Sequence, residues 1–110
     1  MSDGGWTAVL RQAELLEHRL TRVDLDGKPV LIYRTEEHVY AIAGRCTHAG
    51  TPLDRGRVDG AGTQAVVTCP AHGSRFRLAD GRVIRPPARE PLASLEVRVA
   101  DDEIQIRPRA

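Results

Sequence analysis

The only two cysteines in this 110-residue sequence each stand beside a histidine, in Cys46-Thr47-His48 and Cys69-Pro70-Ala71-His72. Thiolate and neutral imidazole both bind iron or zinc well, so one pair on each of two loops offers four donors around a point. A metal group held there would tie two distant loops together and order a stretch with little apolar surface of its own. Zinc sites usually pair Cys with Cys and His with His, at spacings of about two to five residues. Here the first pair has a single intervening residue and both pairs mix the donor types. A disulfide between Cys46 and Cys69 would leave the neighbouring histidines without a role.

A chain of this length, 41% hydrophobic, can bury one compact core, so a single domain over residues 1–110 is expected. The net charge of +1 argues against a nucleic-acid binder, because phosphate binding depends on accumulated positive charge. Met1 to Gly5 shows no basic region followed by an apolar run, and no stretch is long enough to cross a bilayer. The expectation is therefore a cytoplasmic protein without membrane contact. One Ser-Asp pair, Ser2-Asp3, and no G-x-S-x-G device leave no candidate for nucleophilic catalysis.

The flanks of the sequence read as strands. Trp6 to Leu10 suits a first strand, and Gln12 to Arg19 a short helix or turn. From Leu20, alternation sets Thr21, Val23 and Leu25 on one face, and Asp26-Gly27 then signals a hairpin turn because both residues tolerate positive φ. Pro29 to Thr35 and His38 to Ala43 follow as strands joined at Glu36-Glu37. Leu95, Val97 and Val99 alternate with polar residues, as do Ile104 and Ile106 after Asp101-Asp102, which predicts a terminal hairpin with one buried face. Between these flanks, about 44–91, the chain is rich in Gly, Pro, Arg and Asp; its strand material is Gln64 to Thr68, Phe76 to Leu78 and Arg82 to Ile84. No internal repeat stands out. The fold class expected is all-β, an antiparallel base with an inserted loop subdomain.

The sequence runs Cys46-Thr47-His48-Ala49-Gly50, then Leu53, then Cys69-Pro70-Ala71-His72-Gly73-Ser74-Arg75-Phe76, Asp80-Gly81 and Pro86-Pro87. In content and order this resembles the Rieske iron–sulfur family, over most of the chain from about Val30 onward. The resemblance implies a [2Fe-2S] cluster held by Cys46, Cys69, His48 and His72, two Cys on one iron and two His on the other. Two ferric irons, two sulfides, two thiolates and two neutral imidazoles sum to zero charge, so an electron is accepted more easily than by an all-cysteine cluster, at about −150 to +300 mV. It also implies that each imidazole can expose its second nitrogen, giving an edge where a partner docks and a group that can release a proton.

The resemblance is uneven in informative ways. The respiratory branch of the family has an extra cysteine in each loop, joined as a disulfide, at the places held here by Thr51 and Ala71. That branch also has a tyrosine that donates to a cysteine sulfur, and Phe76 takes its place. Ser74 remains; it either donates to a bridging sulfide or satisfies its own loop backbone. One donor kept and one absent predict a potential in the lower part of the range. Pro86-Pro87 resembles the family's stiff loop over the cluster. Leu53, Phe76, Ser74, Pro86 and Pro87 are thus expected to surround the ligands. Twenty residues separate His48 from Cys69, a gap whose excess is expected at Asp59-Gly60-Ala61-Gly62.

Between residues 45 and 89 eight arginines, 45, 55, 57, 75, 77, 82, 85 and 89, face three acids, Asp54, Asp59 and Asp80. They form either ordinary arginine-rich surface or a docking face for an acidic redox partner. His18 and His38 are expected to be plain surface residues. The family's oxygenases add a mononuclear iron on a much larger domain, which this sequence lacks. By resemblance the chain is a soluble Rieske-type ferredoxin, a monomer passing single electrons from a flavin reductase to a terminal oxygenase, rather than an enzyme itself. Two alternatives are the electron-transfer small subunit of a larger oxidoreductase such as a nitrite reductase, and a zinc-stabilised binding module on the same four ligands.

Overall fold

In β3, Lys28–Thr35, the run Val30-Leu31-Ile32-Tyr33 is buried throughout, because both faces of this strand are covered. Val30 and Ile32 point into one core with Leu15, Ala41, Leu95, Ile104 and Ile106. Leu31 and Tyr33 point the other way, into a second core with Ile42, Leu53, Val67, Phe76 and Leu78. One eight-residue strand therefore separates two cores, and its near-continuous apolar sequence is the consequence. The computed structural model describes residues 4–109, so the Ser2-Asp3 pair lies outside the described residues.

Two antiparallel sheets build the molecule. The larger has the order β1-β10-β9-β4-β3-β2, from β1 (Thr7–Arg11), β2 (Thr21–Leu25), β3, β4 (His38–Ala43), β9 (Ser94–Ala100) and β10 (Glu103–Pro108). The smaller has the order β5-β6-β7-β8, from β5 (Arg57–Asp59), β6 (Val66–Thr68), β7 (Arg75–Arg77) and β8 (Val83–Arg85). The all-β architecture expected from the sequence is the one found.

The hairpins follow the turn chemistry. Asp26 and Gly27 both have positive φ, 52° and 78°, as a tight turn between β2 and β3 requires. Asp101 and Asp102 do the same between β9 and β10 without glycine, at 53° and 66°. The stretch from Gln12 forms only a 3-10 turn over Gln12–Glu14, held by the Arg11 N–H donating to Glu14 Oε1 at 2.8 Å. Beyond it Leu15 is buried while Leu16 is 53% exposed, so the two leucines do not share a helical face.

Strand limits in the smaller sheet differ from expectation by one or two residues. Gln64 belongs to a 3-10 turn and β6 starts at Val66; β7 begins at Arg75 and β8 at Val83. Three-residue strands carry too little alternation to fix a boundary, and β5 is not anticipated at all. The Asp59–Gly62 tip packs on the larger sheet, since the Gly62 N–H donates to the buried Thr35 Oγ1 at 3.0 Å.

Candidate metal centre

Each Cys/His pair lies on a short loop, and the two loops close in the same way. In the first, the Cys46 N–H donates to the Thr51 carbonyl at 2.8 Å and the Gly50 N–H returns to the Cys46 carbonyl at 2.8 Å. In the second, the Cys69 N–H donates to the Ser74 carbonyl at 2.7 Å and the Gly73 N–H returns to the Cys69 carbonyl at 3.2 Å. Gly50 and Gly73 hold φ of 71° and 78°, which is why glycine stands four residues after each cysteine. A local repeat of the form C-x-x-x-G-T/S is thus present. It escapes a search for periods because it spans six residues and occurs twice.

The frame directs the two donor types oppositely. Cys46 and Cys69 are each 3% exposed and belong to the core that holds Leu53 and Phe76, both fully buried. His48 and His72 are exposed, and their rings meet edge to face with centroids 5.2 Å apart at 88°. Buried thiols and exposed imidazoles on the same two loops suit a cluster sunk on its sulfur side and reachable from its imidazole side. Among the described residues, no three His, Cys, Asp or Glu side chains group around one ion.

Surrounding residues lock the loops to the rest of the fold. The Leu53 N–H donates to the Gly44 carbonyl at 2.9 Å, fixing the chain just after the first loop. Phe76 pairs with Val67 and Val83 in the centre of the smaller sheet and fills the core under both cysteines. Ser74 is fully buried, and its Oγ accepts the Ala88 N–H at 3.0 Å. The partner is thus the proline loop and not the serine's own loop. Because Ala88 supplies the proton of that bond, the Ser74 hydroxyl keeps its own proton for another acceptor.

Pro86 and Pro87 are exposed, joined by a cis peptide, and lead into the buried Ala88. Two residues on, the Glu90 carbonyl accepts the Thr47 hydroxyl at 2.6 Å. The proline loop is therefore bonded to both ligand loops, through Ser74 and through Thr47. Thr47 is the contact that the sequence reading misses; a hydroxyl residue between Cys and His is its only signal.

Other titratable groups stand apart. His18 and His38 do not join the site: His18 sits half-exposed 3.6 Å from Glu17, and His38 stacks on Tyr40 at 5.7 Å. Asp80, in the turn between β7 and β8, accepts the Arg82 N–H at 3.0 Å and the Arg77 Nε at 3.2 Å. The backbone bond first, opposed by a little burial and helped by Arg77, holds its carboxyl below the usual range.

The family profile for the Rieske [2Fe-2S] domain matches residues 5–96. A curated relative, ferredoxin CarAc of Metapseudomonas resinovorans, is 30% identical over 102 residues, covering 92% of each chain. The fold superposes with a TM-score of 0.84 on a chain in the complex of reduced oxygenase and oxidized ferredoxin of carbazole 1,9a-dioxygenase. That match is 28% identical and covers 98% of this chain and 99% of that one. It superposes at 0.82 on a Mycobacterium tuberculosis protein described as an NADH-dependent nitrite reductase small subunit, with 28% identity and 96% of each chain covered. The buried thiols, the paired surface imidazoles and the serine with a proton to give fit a [2Fe-2S] cluster, and the chain belongs to the Rieske [2Fe-2S] domain family.

Proposed function

We propose that this protein is a one-electron carrier in which Cys46 and Cys69 hold one iron and His48 and His72 the other. The observation that carries the reading is the paired arrangement itself: two imidazoles meeting at the surface and two buried thiols, on two loops closed by the same hydrogen-bonding frame. When bound, the cluster supplies a single reversible electron. The chain's own residues then do three things. Leu53 and Phe76 keep water from the thiolate side, the imidazole edges give a partner close approach, and Ser74 offers a hydrogen bond that favours the reduced, more negative state. Such a site needs no substrate pocket.

The partners we assign are a flavin reductase that loads the electron and a terminal oxygenase that receives it. The oxygenase is supported by the ferredoxin–oxygenase complex among the matched structures, and the flavin reductase rests on the family resemblance. All four ligands come from one chain, so a monomer suffices. No helix among the described residues is long and apolar enough to cross a membrane, and Cys46 and Cys69 are not joined as a disulfide, which suits the reducing cytoplasm. A second reading, the small subunit of a nitrite reductase, is favoured by the likeness to the Mycobacterium tuberculosis protein. It requires co-purification as a stable complex.

Electron paramagnetic resonance of the dithionite-reduced protein, with iron and sulfide analysis, tests the carrier reading. Two irons and two sulfides per chain with a reduced paramagnetic signal are expected. A colourless protein containing stoichiometric zinc would sink it.

A further inference from the structure

Arginines crowd the ligand loops, and the ion pairs sort them. Arg57 and Arg75 share Asp59, and Arg77 binds Asp80. Arg45, Arg55, Arg82, Arg85 and Arg89 have no carboxylate within 4 Å among the described residues, and all five are exposed; Arg45, Arg85 and Arg89 are the ones tied to the ligand loops. Their places in the chain are telling. Arg45 immediately precedes Cys46, and its Nη1 reaches the Gly50 carbonyl of the same loop at 3.4 Å. Arg85 pairs with Arg75, the residue after Ser74. Arg89 lies between Ala88 and Glu90, the two residues that bond the second and first ligand loops.

Three unpaired guanidinium groups thus stand on or beside segments bonded to the loops that carry the exposed imidazoles, with Glu90 as the acid next to Arg89. Exposed apolar residues adjoin Arg85 and Arg89 in the chain: Pro86 and Pro87, and Ile84, which is 46% exposed on the edge strand β8. An apolar centre with a charged rim is the anatomy of a docking patch, and arginine is enriched in such patches. A net charge of +1 hides this, because the positive field is local.

We infer that the electron leaves through a positively charged edge and that the redox partner docks there with an acidic surface. This rests on the carrier reading above. Arg45, Arg85 and Arg89 steer the partner, and the prolines and Ile84 supply the contact once it has arrived.

Two probes of opposite charge test the inference on the holoprotein. Hexacyanoferrate(III) takes one electron from the reduced cluster and becomes hexacyanoferrate(II), while tris(phenanthroline)cobalt(III) takes one electron as a cation; neither makes nor breaks a bond to the protein. Between about 10 and 200 mM salt the anion's rate should fall at least ~threefold and the cation's should rise, since screening removes the local field. Isothermal titration with polyglutamate should show salt-sensitive binding, absent with polylysine. Arg85→Glu and Arg89→Glu should each weaken polyglutamate at least ~fivefold, whereas Arg11→Glu, on the far edge strand, should leave it within about twofold at the same net charge. Equal effects of all three variants, or tighter binding of polylysine, would overturn the inference. A missing iron–sulfur spectrum would instead defeat the carrier reading.

Discussion

β3 runs for eight residues with both faces covered, whereas no strand of the smaller sheet exceeds three residues. The larger sheet is continuous hairpin pairing along β2-β3-β4 and β9-β10, with its own apolar core. The smaller sheet shares its core with two cysteines and with loops that close on themselves. The larger sheet has a core of its own, whereas the core of the smaller sheet is shared with β3 and β4 and takes in both cysteines. The difference separates platform from site: the four candidate ligands, Cys46, His48, Cys69 and His72, lie on loops that lead into the smaller sheet, while the larger sheet keeps a core without them.

Replacing Cys46 or Cys69 by Ser should break this contrast most visibly. The visible absorption is lost, amide exchange accelerates in β5 to β8 and both ligand loops, and β2, β3, β9 and β10 keep their protection. Equal loss of protection in both sheets would show that the platform needs the cluster as well. Phe76→Ala comes next, at about 3–5 kcal/mol in denaturant melts, because a fully buried ring is removed from the core shared with the cysteines.

A pair of glycines sharpens the comparison further. Gly27 and Gly81 have nearly equal φ, 78° and 76°, but a Cβ on Gly27 meets nothing within 4 Å while one on Gly81 would lie 1.9 Å from the Leu92 carbonyl oxygen. Gly27→Ala should therefore cost only the left-handed strain of about 1–2 kcal/mol. Gly81→Ala should cost clearly more and loosen the junction where the Leu92 N–H donates to the Gly81 carbonyl at 2.8 Å.

Ser74→Ala acts on the electron more than on the fold. The midpoint should fall by roughly 40 mV for each ~1 kcal/mol by which the hydroxyl favours the reduced state. An unchanged midpoint in a redox titration removes the serine from the electronic argument and leaves it as the acceptor for Ala88. The smallest effect belongs to Asp80. Its folded pKa is depressed, so its contribution is present above the unfolded value near 3.8 and is lost as pH falls through the lower folded value. Asp80→Asn should flatten the acid limb of a stability–pH curve only slightly, because the side chain is 52% exposed.

The platform was largely legible in the sequence, because long strands repeat their alternation often enough to be read and Asp26-Gly27 marks its turn directly. The two pairs of donors were legible too, since Cys and His are rare and their spacing is specific. β5 was not, nor was the exact start of β7, because three residues contain barely one period. Thr47, Ala88 and Glu90 were invisible for another reason. Their bonds join segments more than ten residues apart, and two of the partners are backbone groups that any side chain could carry.

Each ligand loop is sealed by two bonds within six residues, Cys46 to Thr51 and Cys69 to Ser74. Such a hook needs nothing from the chain between it and its twin. The intervening hairpin, turning at Gly60 and Gly62, is pinned separately, by the Gly62 N–H on the buried Thr35 Oγ1 at 3.0 Å, so the span between the two hooks is fixed at its tip as well. The twenty residues between His48 and Cys69 are thus held at both ends by the ligand loops and in the middle by the larger sheet.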